Sequence, residues 1–187
     1  IQYVGGSHKI YNEVVDPLGV VVGTPQRLDV GQNINAYLTS SHLAGGNVFV
    51  GWVELHDVID PNGGTNINGT SYSQYGYLRG TIVNSADPTQ ITHFDVNQNP
   101  ENNTIWTGSC ALSNGSVAVV WASNSDGSGC GVYGRIFSAL GVAIGDQFQV
   151  NASNWGNQTS PKIVADSDGG FLCYWNDENN GGVFQKF

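Results

Sequence analysis

The chain has 187 residues, 40% of them hydrophobic and only 11% charged, with 6 Lys and Arg against 15 Asp and Glu for a net charge of −9. That length buries a core without covalent staples, and the negative balance has the wrong sign for phosphates or anionic headgroups, which excludes nucleic acid and membrane surfaces as partners. No apolar run approaches the roughly 20 residues of a membrane helix, and the opening at Ile1, with neither Met nor signal peptide, reads as a processed or truncated secreted chain.

In chain order, Ile1 to Val4 reads as the final strand of a repeat preceding the first full copy. That first copy covers approximately 10–52: Leu18-Gly19 match Leu140-Gly141, Gly23 matches Gly145, Asp29-Val30 stand where Gln149-Val150 stand, and Trp52 takes the Trp position. An Asn/Gly-rich stretch at approximately 57–74 breaks the pattern. Trp52 and Trp121 are 69 residues apart, whereas Trp121 and Trp175 are 54 apart, so 15 residues are inserted there. The second and third copies, approximately 77–121 and 131–175, superpose without a gap: Gly80 on Gly134, Ile82 on Ile136, Phe94 on Phe148, Val96 on Val150, Asn97 on Asn151 and Trp121 on Trp175. Val183, Phe184, Gln185, Lys186 and Phe187 match the first strand of a further copy.

The third copy predicts four short strands, 131–137, 143–151, 161–166 and 169–175, separated by Gly-, Asn- and Asp-containing turns. No segment has a helical period. Phe171, Cys173 and Trp175 alternate with Leu172 and Tyr174, and Val117, Val119 and Trp121 alternate with Ala118 and Val120, so apolar residues occupy both faces and both faces must be covered. The expected fold is all-β: about three tandem four-stranded antiparallel repeats, propeller-blade-like, in a single domain with an unpaired strand at each end.

The segment Gly131 to Val150, followed by Ser160-Pro161 and Asp168-Gly169-Gly170-Phe171 through Trp175, resembles the GVYGQ-F / DGGF-x-V-x-W tandem repeats of large secreted or cell-surface adhesin-like proteins of bacteria and protists. The resemblance covers the third copy well, the second moderately and the first weakly. It implies extracellular display and β-rich tandem units with no defined catalysis. Where such repeats often carry Asp-Gly-Asp-Gly after the Trp, this chain has Asn124 to Gly129 and Asn176 to Asn180, which weakens a calcium role and leaves no cofactor assigned.

Candidate chemistry is sparse. Sequons for N-glycosylation stand at Asn68, Asn102, Asn114, Asn151 and Asn157, with Asn114 equally readable as an Asn-Gly hairpin turn. Among three cysteines, Cys110–Cys130 is the candidate disulfide and Cys173 a buried small hydrophobe. His8, His42, His56 and His93 lack zinc-site spacing; His93 and Asp95 share a strand face, and His56, Asp57 and Asp60 cluster in the insertion, where a solvated loop is the simpler reading. Trp52, Trp121 and Trp175 read as core, whereas Trp106 and Trp155 flank polar turns and could stack on sugars. The expected function is that of a structural or adhesive module, not an enzyme, whose partners are other copies or further repeats joined head to tail through the strand 183–187, as in a filament. A carbohydrate-binding propeller-like lectin is the alternative.

Overall fold

The computed structural model describes residues 9–29, 34–59, 72–99, 101, 102, 104–179 and 181–186. They form strands β1 (Tyr11–Val15), β2 (Val21–Arg27), β3 (Ile34–His42), β4 (Asn47–Ile59), β5 (Tyr72–Asn84), β6 (Ile91–Asp95), β7 (Glu101–Asn102), β8 (Ile105–Ala111), β9 (Val117–Ser123), β10 (Gly131–Phe137), β11 (Phe148–Gln149), β12 (Gln158–Ala165), β13 (Phe171–Asp177) and β14 (Gly181–Lys186). One 3-10 turn at Ala44–Gly46 is the sole helical element among the described residues.

Among the described residues all pairings are antiparallel and fall into four sheets: β1-β2; β3-β4-β5-β6, with β7 also on β5; β8-β9-β10-β11; and β12-β13-β14. The expected four-stranded unit was one copy per sheet, and the structure corrects its phase. The first strand of a copy pairs with the Trp strand of the copy before, as β10 does with β9 and β5 with β4, its second strand pairs with its first, and its last two strands start the next sheet. Alternation along a strand records which face is apolar but not which neighbour supplies the hydrogen bonds. The expected second strand, 143–151, is reduced to a bridge at Ala143 and the pair Phe148–Gln149.

The insertion also differs from a loop. β4 and β5 pair continuously from Asn47↔Asn84 to Ile59↔Tyr72, so the extra residues lengthen a hairpin whose tip, 60–71, lies outside the described residues.

Local hydrogen bonds recur from sheet to sheet. A side-chain oxygen accepts the N–H nineteen residues earlier in three places: Asp29 from Ile10 (2.7 Å), Asn97 from Leu78 (2.9 Å) and Asn151 from Val132 (2.7 Å). In each, the residue before the acceptor donates its N–H back to the same strand, Leu28 to Ile10, Val96 to Leu78 and Val150 to Val132. Leu28-Asp29 therefore occupy the place of Val150-Asn151, which corrects the alignment of Asp29-Val30 with Gln149-Val150. Close packing recurs too: a Cβ on Gly80 would come within 2.6 Å of the Phe94 ring, and one on Gly134 within 3.0 Å of Phe148. Glycine is required where a ring from the paired strand lies flat on the backbone.

The sheets stack face to face. Val117, Val119 and Trp121 of β9, with Tyr133 and Phe137 of β10, pack against Phe49, Val53, Leu78, Ile82 and Val96 of the sheet before. Ala118 and Val120 share a second core with Phe171, Cys173 and Trp175 of the sheet after. Every residue of β9 is consequently buried, as two-sided apolar alternation requires. Each repeat Trp faces backward, onto the cluster that holds the preceding latch: Trp52 with Ile10 and Leu28, Trp121 with Leu78 and Val96, Trp175 with Val132 and Val150.

Candidate functional site

Polar side chains inside the array hold the sheets together. The hydroxyls of Thr39 and Ser41 on β3 lie 2.9 and 2.8 Å from that of Ser109 on β8, bridging two stacked sheets. Glu54, 4% exposed, accepts from Arg79 Nε at 2.8 Å, and Arg79 also pairs with Asp95. Arg79, His93, Phe94, Asp95, Gly80 and Trp52 line an open cleft of about 330 Å³. His93 and Asp95 are not coupled as a dyad there: His93 Nδ1 lies 2.8 Å from the Thr81 hydroxyl, and Asp95 serves Arg79. His56 stands 3.2 Å from Glu54 and edge-on to Tyr77, Asp57 lies in the paired part of the hairpin, and Asp60 is outside the described residues.

The three cysteines are free thiols, which corrects the Cys110–Cys130 bridge. Cys110 sits opposite Ala118 and Gly131 opposite Ser123, five residues further along β9. That sets Gly131 about 17 Å from the level of Cys110 along β9, with Cys130 one residue further on and on the other side of β9, well beyond disulfide reach. Cys130 Sγ donates instead to Asn124 Oδ1 at 2.7 Å. Burial pushes Cys110 up to about 11 and Cys173 up to about 12, so both remain protonated and unreactive at neutral pH.

The sequons divide in the same way. Asn151 is 5% exposed, and its amide donates to Ser153 O and Gln158 Oε1 at 2.8 and 2.9 Å. Its side chain is a buried latch, so it is removed from the candidate acceptors. Asn114 is exposed at the β8–β9 turn and Asn157 is exposed but bonded to Glu178 Oε2 at 2.8 Å. Asn102 lies in β7 with its side chain undescribed, and Asn68 falls outside the described residues. The latch is the feature that motif reading missed. Its signal was the recurrent spacing of nineteen, Ile10–Asp29, Leu78–Asn97 and Val132–Asn151.

The first latch carries a charge. Arg27 binds Asp29 through Nε and through a terminal nitrogen at 2.5 Å, neutralising the carboxylate that stands where the other two latches have an Asn. Burial pushes the Asp29 carboxyl up, but the bonds from Arg27 and the Ile10 N–H outweigh it and leave the group below its ordinary 3.8. A depressed folded pKa stabilises fully above the unfolded value, and that contribution is lost as pH falls through the folded one. Melting temperatures measured from about pH 6 to pH 2 should therefore fall more steeply for the native chain than for Asp29→Asn, which has no carboxyl to protonate.

Two exposed surfaces complete the candidates. Trp155, 73% exposed, sits on a turn fixed by hydrogen bonds from Gln158 Nε2 (3.0 Å) and Asn179 Nδ2 (2.8 Å) to its carbonyl. Beside it, Asn154 bonds Gln149 at 2.7 Å. The backbone of Trp106 lies in β8, and its side chain is undescribed. At the Asn124–Gly129 turn, Asp126 Oδ1 accepts from Ser128 N–H, while Oδ2 packs over Gly131; no group of three His, Cys, Asp or Glu that could hold a metal occurs among the described residues. The other surface is the outer face of β12–β13, where Val164 is 50% and Tyr174 39% exposed. The expected assembly strand is paired within its own chain, Val183↔Trp175 through Lys186↔Leu172. Phe187 lies outside the described residues. Comparison with family models, curated proteins and solved structures finds no match.

Proposed function

We propose that this chain is an extracellular structural or adhesive building block that works by stacking propeller-blade-like β units, with no catalytic role. The observation that carries the reading is β9, a strand buried on both faces between the sheet before it and the sheet after it. The interior chemistry supports it: Asp29, Glu54 and His93 are held in local ion pairs or hydrogen bonds, and Cys173 packs in a core. Antibodies against the chain should label intact source cells or their extracellular matrix. Labelling that requires permeabilised cells contradicts the reading.

A second reading has its own observation, the exposed Trp155 ring on a fixed turn among Asn154, Gln149 and Asn179. An aromatic face with amides around it suits stacking on the C–H face of a pyranose ring. A glycan array probed with the native chain and with Trp155→Ala tests it; binding by the native chain that the variant lacks favours a lectin.

A further inference from the structure

We infer that the open cleft along β5 and β6 is a binding site for a neutral sugar residue of a glycan, with Asp95, Arg79 and His93 meeting its hydroxyls and Phe94 and Trp52 its C–H face. The inference adds a ligand to the structural reading above and uses no residue of the Trp155 turn.

The cleft stands where the stack departs from its own pattern. The residue paired with the repeat Trp is Tyr133 opposite Trp121 and Val183 opposite Trp175, but Arg79 opposite Trp52. Arg79↔Asp95 and Gly80↔Phe94 on β5–β6 correspond to Tyr133↔Gln149 and Gly134↔Phe148 on β10–β11, and a shift of 54 residues sets His93 on Gln147. The next sheet therefore builds the same place from neutral groups, with Tyr133 stacked on Trp121. The array does not need the charges. Nor do they stabilise it by default, since an ion pair with a partner as buried as Glu54 is often matched or bettered by apolar packing. Charged groups kept beside a cleft on those terms point to a ligand. The opening belongs to the rim of the sheet and not to an end face: in the next sheet, whose rear is covered by the sheet before it, Gln149 at the place of Asp95 is exposed as well.

The groups on offer select the ligand class. Arg79 gives Nε to Glu54 at 2.8 Å and a terminal nitrogen to Asp95, so two carboxylates already neutralise its charge. A phosphate, sulfate or carboxylate would meet Asp95, whose side chain is 67% exposed, with no unbalanced cation to offset the repulsion. Burial holds the His93 imidazole below its ordinary 6.5, so it is neutral at pH 7 and adds no positive charge. Its Nδ1 lies 2.8 Å from the Thr81 hydroxyl, which leaves Nε2 for a ligand. A sugar hydroxyl both donates and accepts. One hydroxyl can donate to Asp95 while its neighbour accepts from the other terminal nitrogen of Arg79. Phe94 and Trp52 supply the apolar wall, which suits the C–H face of a pyranose ring. A volume of about 330 Å³ lies at the small end of ligand clefts and suits one sugar residue.

A glycan array carrying neutral oligosaccharides beside uronic-acid, sulfated and sialylated ones tests the inference, followed by calorimetric titration of the glycan that binds. The native chain should bind neutral glycans and leave the anionic ones unbound. Asp95→Ala, at an exposed site, should weaken that binding about tenfold or more through loss of a charge-assisted hydrogen bond, with an unchanged circular dichroism spectrum. If that variant unfolds, His93→Ala replaces it with the same expectation. Trp155→Ala should bind as the native chain does. A native chain that binds no neutral glycan, a preference for anionic glycans, or full binding by the folded cleft variant overturns the inference. Binding lost in Trp155→Ala and kept in Asp95→Ala overturns it in favour of the Trp155 turn. The structural reading is tested separately by antibody labelling and survives any of those results.

Discussion

Replacing Trp121 with Ala is expected to destabilise the fold by about 3–5 kcal/mol, the cost of removing a fully buried aromatic from a core that cannot collapse around the void. Trp121 is 0% exposed and stacks on Tyr133 with ring centroids 6.3 Å apart. It spans the interface between two sheets, so the cavity opens where Leu78 and Val96 of the preceding sheet lose their partner. Backbone on both sides is fixed by ladders and by the Asn97 latch, which limits relaxation. Denaturant melts read the loss. A change below about 1 kcal/mol would mean that the tryptophan is not a core residue of the stack.

The second large effect is expected at Asn151. Truncation to Ala leaves the Val132 N–H and the Gln158 amide oxygen buried without their partners, at roughly 1–3 kcal/mol for each orphaned group, so a loss of about 3 kcal/mol is expected. Asn151→Asp separates the roles of the two side-chain ends. The carboxylate keeps an acceptor for Val132 N–H but presents negative charge to Ser153 O and Gln158 Oε1, with no counterpart of the arginine that serves Asp29. Burial against acceptors raises a carboxyl pKa, so this variant should be destabilised at neutral pH and recover as pH falls and the group protonates. Asp29, at the corresponding position, should show the opposite slope. Equal pH dependence of the native chain and Asn151→Asp would contradict the assigned hydrogen bonds.

Much of the architecture was legible because side-chain alternation directly encodes which faces are buried. Val117 to Trp121 predicted a strand covered on both sides, Gly131 to Phe137 was bounded as observed, and the 15-residue offset between Trp52 and Trp121 located the lengthened β4–β5 hairpin. The phase of the sheets was not legible. Hydrogen-bond partners leave no trace in the alternation, and β10 pairs as well with a strand before it as with one after. Asn151 was misread because Asn-x-Ser specifies an enzyme's recognition pattern and says nothing of burial. Asp29 hid the first latch by replacing an amide with a carboxylate, a change that makes sense only once Arg27 is seen to neutralise it. The Cys110–Cys130 pairing failed because separation in sequence does not report position along β9, where the two sites fall at opposite ends.

Stacking of successive sheets is the claim on which the rest depends, and the Thr39–Ser41–Ser109 contact between β3 and β8 offers a direct probe of it. The double variant Ser41→Cys, Ser109→Cys places two thiols where hydroxyl oxygens lie 2.8 Å apart, close enough for a disulfide after a small rotamer adjustment. Mild oxidation followed by peptide mapping should find a reducible link between residues 41 and 109 within a monomer whose melting temperature rises. A folded, fully oxidised sample in which 41 and 109 are never joined would contradict the stacked arrangement.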